Sequence, residues 1–389
     1  MSMTSTTASA RDQALNYISD PRFTQKFSLP ASESQDAITV SYADVGFKPA
    51  SPTASRTTPT VLFIPGMFGS RYIGAVLDRV ARRYGVRVLV IDRPGMGFST
   101  EVPLAQRIPT WIRVVPRLLA HLDIPHVALV AHSAGTLYLL NTLHHYRDLL
   151  HPERPYVAIM GPWVDPACSK VAAMQMLQYI PTPAFSIWHR IPRFFVVDAA
   201  PVLTTSGTVL NKATGFFSAS LGTNNAQELT TLEKNRQKLA DEYDFPRDLQ
   251  MELGTILTKK IFDENTVGAN GEALQCLRKG QGWSWEACDD YAVFAKSLVS
   301  AERQRRQLDP NWQDSMRLKV RAYFAETDIM IGAGGQQYIE DILGWKDKAF
   351  DDVLDFESVT VPGTDHDSVM QPVEILEQVF IDAGGSLLR

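Results

Sequence analysis

The sequence is short of several things that would fix its class at once. Cysteine is scarce: among 389 residues there are Cys168, Cys276 and Cys288, an odd number with no Cys-x-x-Cys pair. That excludes a disulfide-built scaffold and a cysteine-based zinc centre, and it points to a reducing compartment. No stretch approaches the ~18 consecutive apolar residues a membrane-spanning helix needs. The start, "MSMTSTTASARDQALNY", has neither a basic leader nor an apolar core of signal-peptide length. A soluble, cytoplasmic protein is expected. Positive charge is also lacking: the net charge is -5, and basic clusters such as "RQRR" at 303–306 are short and isolated, so nucleic acid is not an expected partner. With no His-Glu-x-x-His and no glycine-rich phosphate cradle after the first strand, no metal and no organic cofactor is implied.

What is present is an ordinary globular composition, 45% hydrophobic and 21% charged, in a chain long enough for one large α/β domain with an insertion. Residues 1–25 read as a mobile lead-in. "QKFSLPA" and "AITVSYADVG" follow as strands, the second alternating apolar and polar positions. "KPASPTASRTTPT", 48–60, reads as an exposed loop. The pattern then becomes strand and helix in turn: "TVLFIPG" and "VRVLVIDRPG" are continuous apolar runs, "HVALVA", "RPYVAIMGPWV", "MRLKVRAYFAE" and "FESVTVPG" supply further strands, and helical spacings such as "GAVLDRVARRY" lie between strands. Continuous runs mean strands covered on both faces, hence a mostly parallel sheet flanked by helices. From 167 to 315 only helical signals appear, among them "SKVAAMQMLQYI" and "DDYAVFAKSLVSAERQRRQ". The expected organisation is therefore an α/β core over 26–166 and 316–389, with a large helical cap, 167–315, inserted between two sheet strands.

At the centre of "VALVAHSAGTLYLL", residues 127–140, stands Ser133, at the carboxyl end of a strand that feeds a helix. Ligands of open α/β sheets bind at such ends. Alone, the pattern describes equally well a serine that caps the following helix. It resembles the Gly-x-Ser-x-Gly nucleophile elbow of the α/β-hydrolase superfamily, with Ala131 in place of the first glycine and Gly135 as the second. A serine nucleophile needs a histidine to take its proton and an acid to orient that histidine. The resemblance implies the order Ser, acid, His, and later strand ends supply both: Asp328 after "RLKVRAYFAETD" and His366 after "SVTVPGTDHDSV". Of the eight histidines, seven have bland readings in loops, at helix ends or within the elbow. Glu326 competes with Asp328 for the acid, and Asp165 in "GPWVDP" is the alternative after the preceding strand. Asp365 and Asp367 read as solvated loop charges.

The resemblance further implies an oxyanion hole from the backbone N-H groups of Met67, in "FIPGMFGSR", and Ala134. Gly66, Phe68 and His132 are candidates to line the pocket. "DRPGMGFST", 92–100, completes the likeness, with an architectural role. In the insertion, Trp188, Phe194, Phe195, Phe216 and Phe217 would pack the cap core or line an apolar pocket, and its Gly, Ser and Thr content over 194–222 predicts a moving lid. The functional expectation is a metal-free serine hydrolase acting on an ester, lactone or thioester of a medium-sized, largely apolar molecule. An epoxide hydrolase is disfavoured, since the resemblance puts an aspartate where Ser133 stands. Acyl transfer or carbon-carbon hydrolysis by the same triad stays open, as does a ligand-binding or non-hydrolytic cyclisation protein on this fold. A homodimer also stays open.

Overall fold

The structure is a computed structural model that describes residues 8–31, 36–190, 226–344, 346 and 348–388. Eight strands form one sheet: β1 (Gln25–Leu29), β2 (Ile38–Gly46), β3 (Thr60–Ile64), β4 (Arg87–Ile91), β5 (Ala128–His132), β6 (Tyr156–Met160), β7 (Leu318–Thr327) and β8 (Leu354–Asp365). Their order is β1-β2-β4-β3-β5-β6-β7-β8. β2 runs antiparallel to both β1 and β4, while every pairing from β4 to β8 is parallel. The eight strand candidates of the sequence and the eight strands coincide. β3, β4, β5 and β6 are buried along their whole length, as strands with helices on both faces must be.

Topology places the site. From β3 the chain moves outward to β4, then crosses back over β3 to β5, so connections leave the β3 and β5 carboxyl ends in opposite directions. Open α/β sheets bind ligands at such a switch point, which here lies between residues 65–69, after β3, and Ser133, after β5. Two apolar clusters pack the two faces of the sheet. One gathers Trp111, Leu118 and Leu137 from the helices Arg107–His121 and Gly135–His145; the other gathers Leu77, Val80 and Phe380 from Gly74–Arg83 and Val373–Asp382.

Between β6 and β7 the described regular elements are helices, and they join those same two clusters. Leu249, Leu253, Ile256, Leu257 and Ile261 of the helix Arg247–Asp263 enter one face, and Trp285, Tyr291, Phe294 and Val299 enter the other. Two local expectations differ from the structure. The lead-in contains a helix, Ala10–Ile18, capped by the Ser9 side chain and packed through buried Ala14 and Ile18. The exposed loop at 48–60 contains a short helix, Pro52–Thr57, because Ser51 accepts from the Ala54 N-H and Pro52 fills the first turn, where no N-H is needed. Among the described residues no helix is long and apolar enough to cross a membrane.

Candidate active site

Ser133 follows β5 with φ of 49°, a left-handed conformation that a non-glycine residue rarely adopts and that costs about 1–3 kcal/mol. The turn is held from both sides: the Ser133 N-H donates to Met160 O at 3.0 Å, and Ser133 O accepts from the Trp163 N-H. Gly135 has a steric reason, since a Cβ there would stand 2.2 Å from Ile64 O and 2.8 Å from Pro65 O. At Ala131 the extra methyl is simply buried in the core, which is why the first glycine of the pattern is dispensable here.

His366 directly follows β8 and is 4% exposed. Its Nε2 lies 2.8 Å from Ser133 Oγ and its Nδ1 2.8 Å from Asp328 Oδ2. With Nδ1-H donating to the carboxylate, the Nε2 lone pair faces the serine hydroxyl. The other oxygen of Asp328, Oδ1, accepts from the Met330 and Ile331 N-H groups at 2.8 Å each. Burial opposes charge on Asp328, but the His366 ring and these two N-H groups outweigh it and hold its carboxyl below the ordinary range. Burial likewise opposes charge on His366, and Asp328 outweighs it, so the imidazole is shifted above its usual value. Gly161, after β6, makes room for the ring: a Cβ there would stand 3.2 Å from His366 Nδ1.

The competing acids are occupied elsewhere. Asp165 caps the helix Pro166–Ser169 through the Ala167 N-H and pairs with Arg278 at 2.6 Å. Glu326 is exposed and accepts from the Gly363 N-H. Asp365 is not a solvated charge: it is buried and accepts from both the N-H and the hydroxyl of Ser368, fixing the turn that carries His366.

His132 is also buried. Its Nε2-H donates to His366 O at 2.8 Å, which leaves Nδ1 as a lone pair beside Gly66. Burial first, and the neighbouring His366 second, push its pKa down to about 3, so it stays neutral. His132, His366 and Asp367 bring three potential ligand atoms within 4.8 Å of one another, but both ring nitrogens of His366 are engaged with Ser133 and Asp328. Two remaining donors fall short of the three or four that zinc takes.

Met67 lies on the loop after β3, and Ala134 is the N-cap residue of the helix Gly135–His145. Among the described residues neither backbone N-H finds an acceptor in the protein. Gly66 is buried, and a Cβ there would meet His132 Nδ1 at 2.8 Å and Ser133 Cβ at 3.0 Å. Phe68 is half-buried with its ring 6.2 Å from Phe262, and the Trp188 indole N-H reaches Met67 Sδ at 3.4 Å. Phe194, Phe195, Phe216, Phe217 and the expected moving stretch lie outside the described residues.

A family model described as alpha/beta hydrolase fold matches residues 59–154. No curated protein matches the chain in sequence. Among solved structures the chain is similar to epoxide hydrolase VrEH1 from Vigna radiata, at 15% identity and TM-score 0.52, over 92% of this chain and 97% of that one. It is similar also to a carboxylesterase from the thaumarchaeon Nitrososphaera gargenis, at 10% identity and TM-score 0.50, over 91% and 96% of the two chains. A third likeness is to esterase E22, at 9% identity and TM-score 0.50, over 92% and 99%. At such identities the likeness is one of architecture, and together with the strand order it shows that this chain has the α/β-hydrolase fold.

Proposed function

We propose that the chain is a serine hydrolase that cleaves an ester, lactone or thioester of a medium-sized, largely apolar small molecule through an acyl-enzyme on Ser133. The observation that carries this reading is the unbroken hydrogen-bonded chain Asp328–His366–Ser133 at the carboxyl edge of the sheet. A serine rather than an aspartate at the elbow favours ester chemistry over epoxide opening.

The steps follow from the geometry. His366 Nε2 takes the proton from Ser133 Oγ as that oxygen bonds to the substrate carbonyl carbon, and the carbonyl electron pair moves onto oxygen. The Met67 and Ala134 N-H groups donate to this oxyanion. Collapse expels the alkoxide or thiolate, which takes the proton from His366, and leaves the acyl group on Ser133. Water then gives a proton to His366 and its hydroxide portion to the acyl carbon; collapse breaks the bond from that carbon to Ser133 Oγ, which takes the proton back from His366 as the acid leaves. Asp328 keeps its charge throughout and holds Nδ1-H. Residues 167–315 serve in this reading as a cap over Ser133, with Trp188 against Met67 supporting that placement, and Met67, Phe68 and Trp188 supporting an apolar substrate.

A fluorophosphonate probe tests the reading. Ser133 is expected to carry the adduct, and Ser133→Ala to abolish it while lowering kcat by at least about 10⁴-fold. A labelled serine elsewhere, retained in Ser133→Ala, overturns the assignment.

A further inference from the structure

The β3 loop that carries Met67 is closed by its own turn, Gly69 N-H donating to Gly66 O at 2.8 Å, and one side chain, Arg93, reaches several of its carbonyls. Arg93 is completely buried, and its guanidinium converges on the loop's carbonyls: Nη1 donates to Pro65 O at 2.5 Å, and Nη2 to Gly66 O at 2.7 Å, with Met67 O at 3.3 Å and Gly69 O at 3.5 Å. Gly66 O and the Met67 N-H belong to one trans peptide, in which the two groups point in opposite directions. Fixing Gly66 O towards Arg93 therefore turns the Met67 N-H away from it, to the side where Gly66 meets His132 and Ser133.

Arg93 is itself held by the segment between β6 and β7. Its Nε and Nη2 both donate to Glu272, on the helix Gly268–Cys276, and Glu272 also accepts from Arg107, which donates in turn to Pro94 O. The helix cannot easily drift from this position. Gly268 N-H donates to Gly95 O at 2.9 Å, and a Cβ on Gly268 would stand 2.3 Å from Pro94 O. Two guanidinium groups against one carboxylate also leave a net positive charge buried behind the loop, the sign that favours a developing oxyanion.

We infer that Arg93 is the positioning residue of the oxyanion hole, aiming the Met67 N-H through the Gly66 carbonyl, and that Glu272 of the β6–β7 segment holds Arg93 in place. This rests on the serine-hydrolase reading. It makes a residue of the insertion necessary for transition-state stabilisation although it lies behind the loop and touches no substrate.

Arg93→Lys keeps the charge and gives up the planar fork that spans several carbonyls at once. The test compares 4-nitrophenyl butyrate with its thiono counterpart, in which sulfur replaces the carbonyl oxygen and accepts hydrogen bonds poorly, on the full-length chain. For Arg93→Lys the oxygen-ester kcat is expected to fall about 10- to 10²-fold with KM changed less than about 3-fold, near the ~10²–10³-fold reported for losing one oxyanion donor outright. The thiono rate should fall much less, so the ratio of the two rates collapses towards one. Glu272→Gln, which keeps volume and an acceptor oxygen, should move the ratio the same way to a smaller extent, and it carries the test if Arg93→Lys does not fold. A general loosening of the fold would lower both rates together, so an unchanged ratio in a folded variant overturns the positioning role while leaving Ser133 chemistry intact. A wild-type chain that forms no fluorophosphonate adduct at Ser133 overturns both readings.

Discussion

At the scale of single residues, the elbow separates two small side chains that look alike in sequence. A Cβ at Gly135 meets backbone oxygens of Ile64 and Pro65, which cannot move without shifting the β3 loop, so Gly135→Ala is expected to lose about 1–3 kcal/mol in urea unfolding and much of the activity. Ala131→Gly, by contrast, should cost no more than about 1 kcal/mol and leave kcat nearly unchanged. His366 gives a second prediction. Its pKa is raised, chiefly because Asp328 outweighs the effect of burial, and the reading needs its neutral form. kcat/KM should therefore fall as pH drops through a midpoint above the ordinary histidine value of about 6.5. Asp328→Asn removes the charge that raises it, so the same limb should move to lower pH while the rate falls by about 10³–10⁴-fold. A limb that stays in place would show that another group controls it. The candidates Ser133, Asp328 and His366 were legible because the chemistry asks for those residue types and the resemblance to the α/β-hydrolase superfamily implies them at strand ends in that order. Arg93 was not, since its partner Glu272 is 179 residues away and only the fold brings a second buried arginine beside them.

At the scale of elements, the central strands β3 to β6 were legible because a parallel sheet buried on both faces demands unbroken apolar runs. The short helices were less so. Pro52–Thr57 depends on one serine cap and a proline within a stretch whose composition also describes a loop. The long helix Tyr291–Leu308 has a stronger start: Asp290 accepts from the Ala292 and Val293 N-H groups at 2.8 and 3.0 Å. Asp290→Ala should lower stability by about 1 kcal/mol, the usual worth of such a cap, and leave the ester rate untouched. A rate that fell with it would mean that this helix end also bears on the site.

At the scale of the whole molecule, the question is whether the segment between β6 and β7 behaves as a separate body. Its described helices have no core of their own, because they complete the two clusters that pack the sheet. Ion pairs cross the same boundary: Arg71 with Glu264, Arg93 with Glu272, and Arg147 with Glu302, whose carboxylate is fully buried and accepts twice, at 2.7 and 2.9 Å. Apolar burial on shared faces and charges that would be stranded by separation both favour one cooperative unit. Far-UV circular dichroism, which follows the sheet and its helices, and tryptophan fluorescence, which includes Trp285 of the insertion, should then trace coincident unfolding curves. Glu302→Ala leaves Arg147 without its carboxylate, and breaking a buried pair in this way costs about 3–5 kcal/mol. Because the insertion and the sheet share their cores, that loss should shift both curves together. An early transition that changes the fluorescence and removes only part of the helical circular dichroism, with the rest lost later, would instead make the insertion a body that melts by itself, and the strut from Glu272 to the oxyanion loop would then be the contact most exposed to that melting.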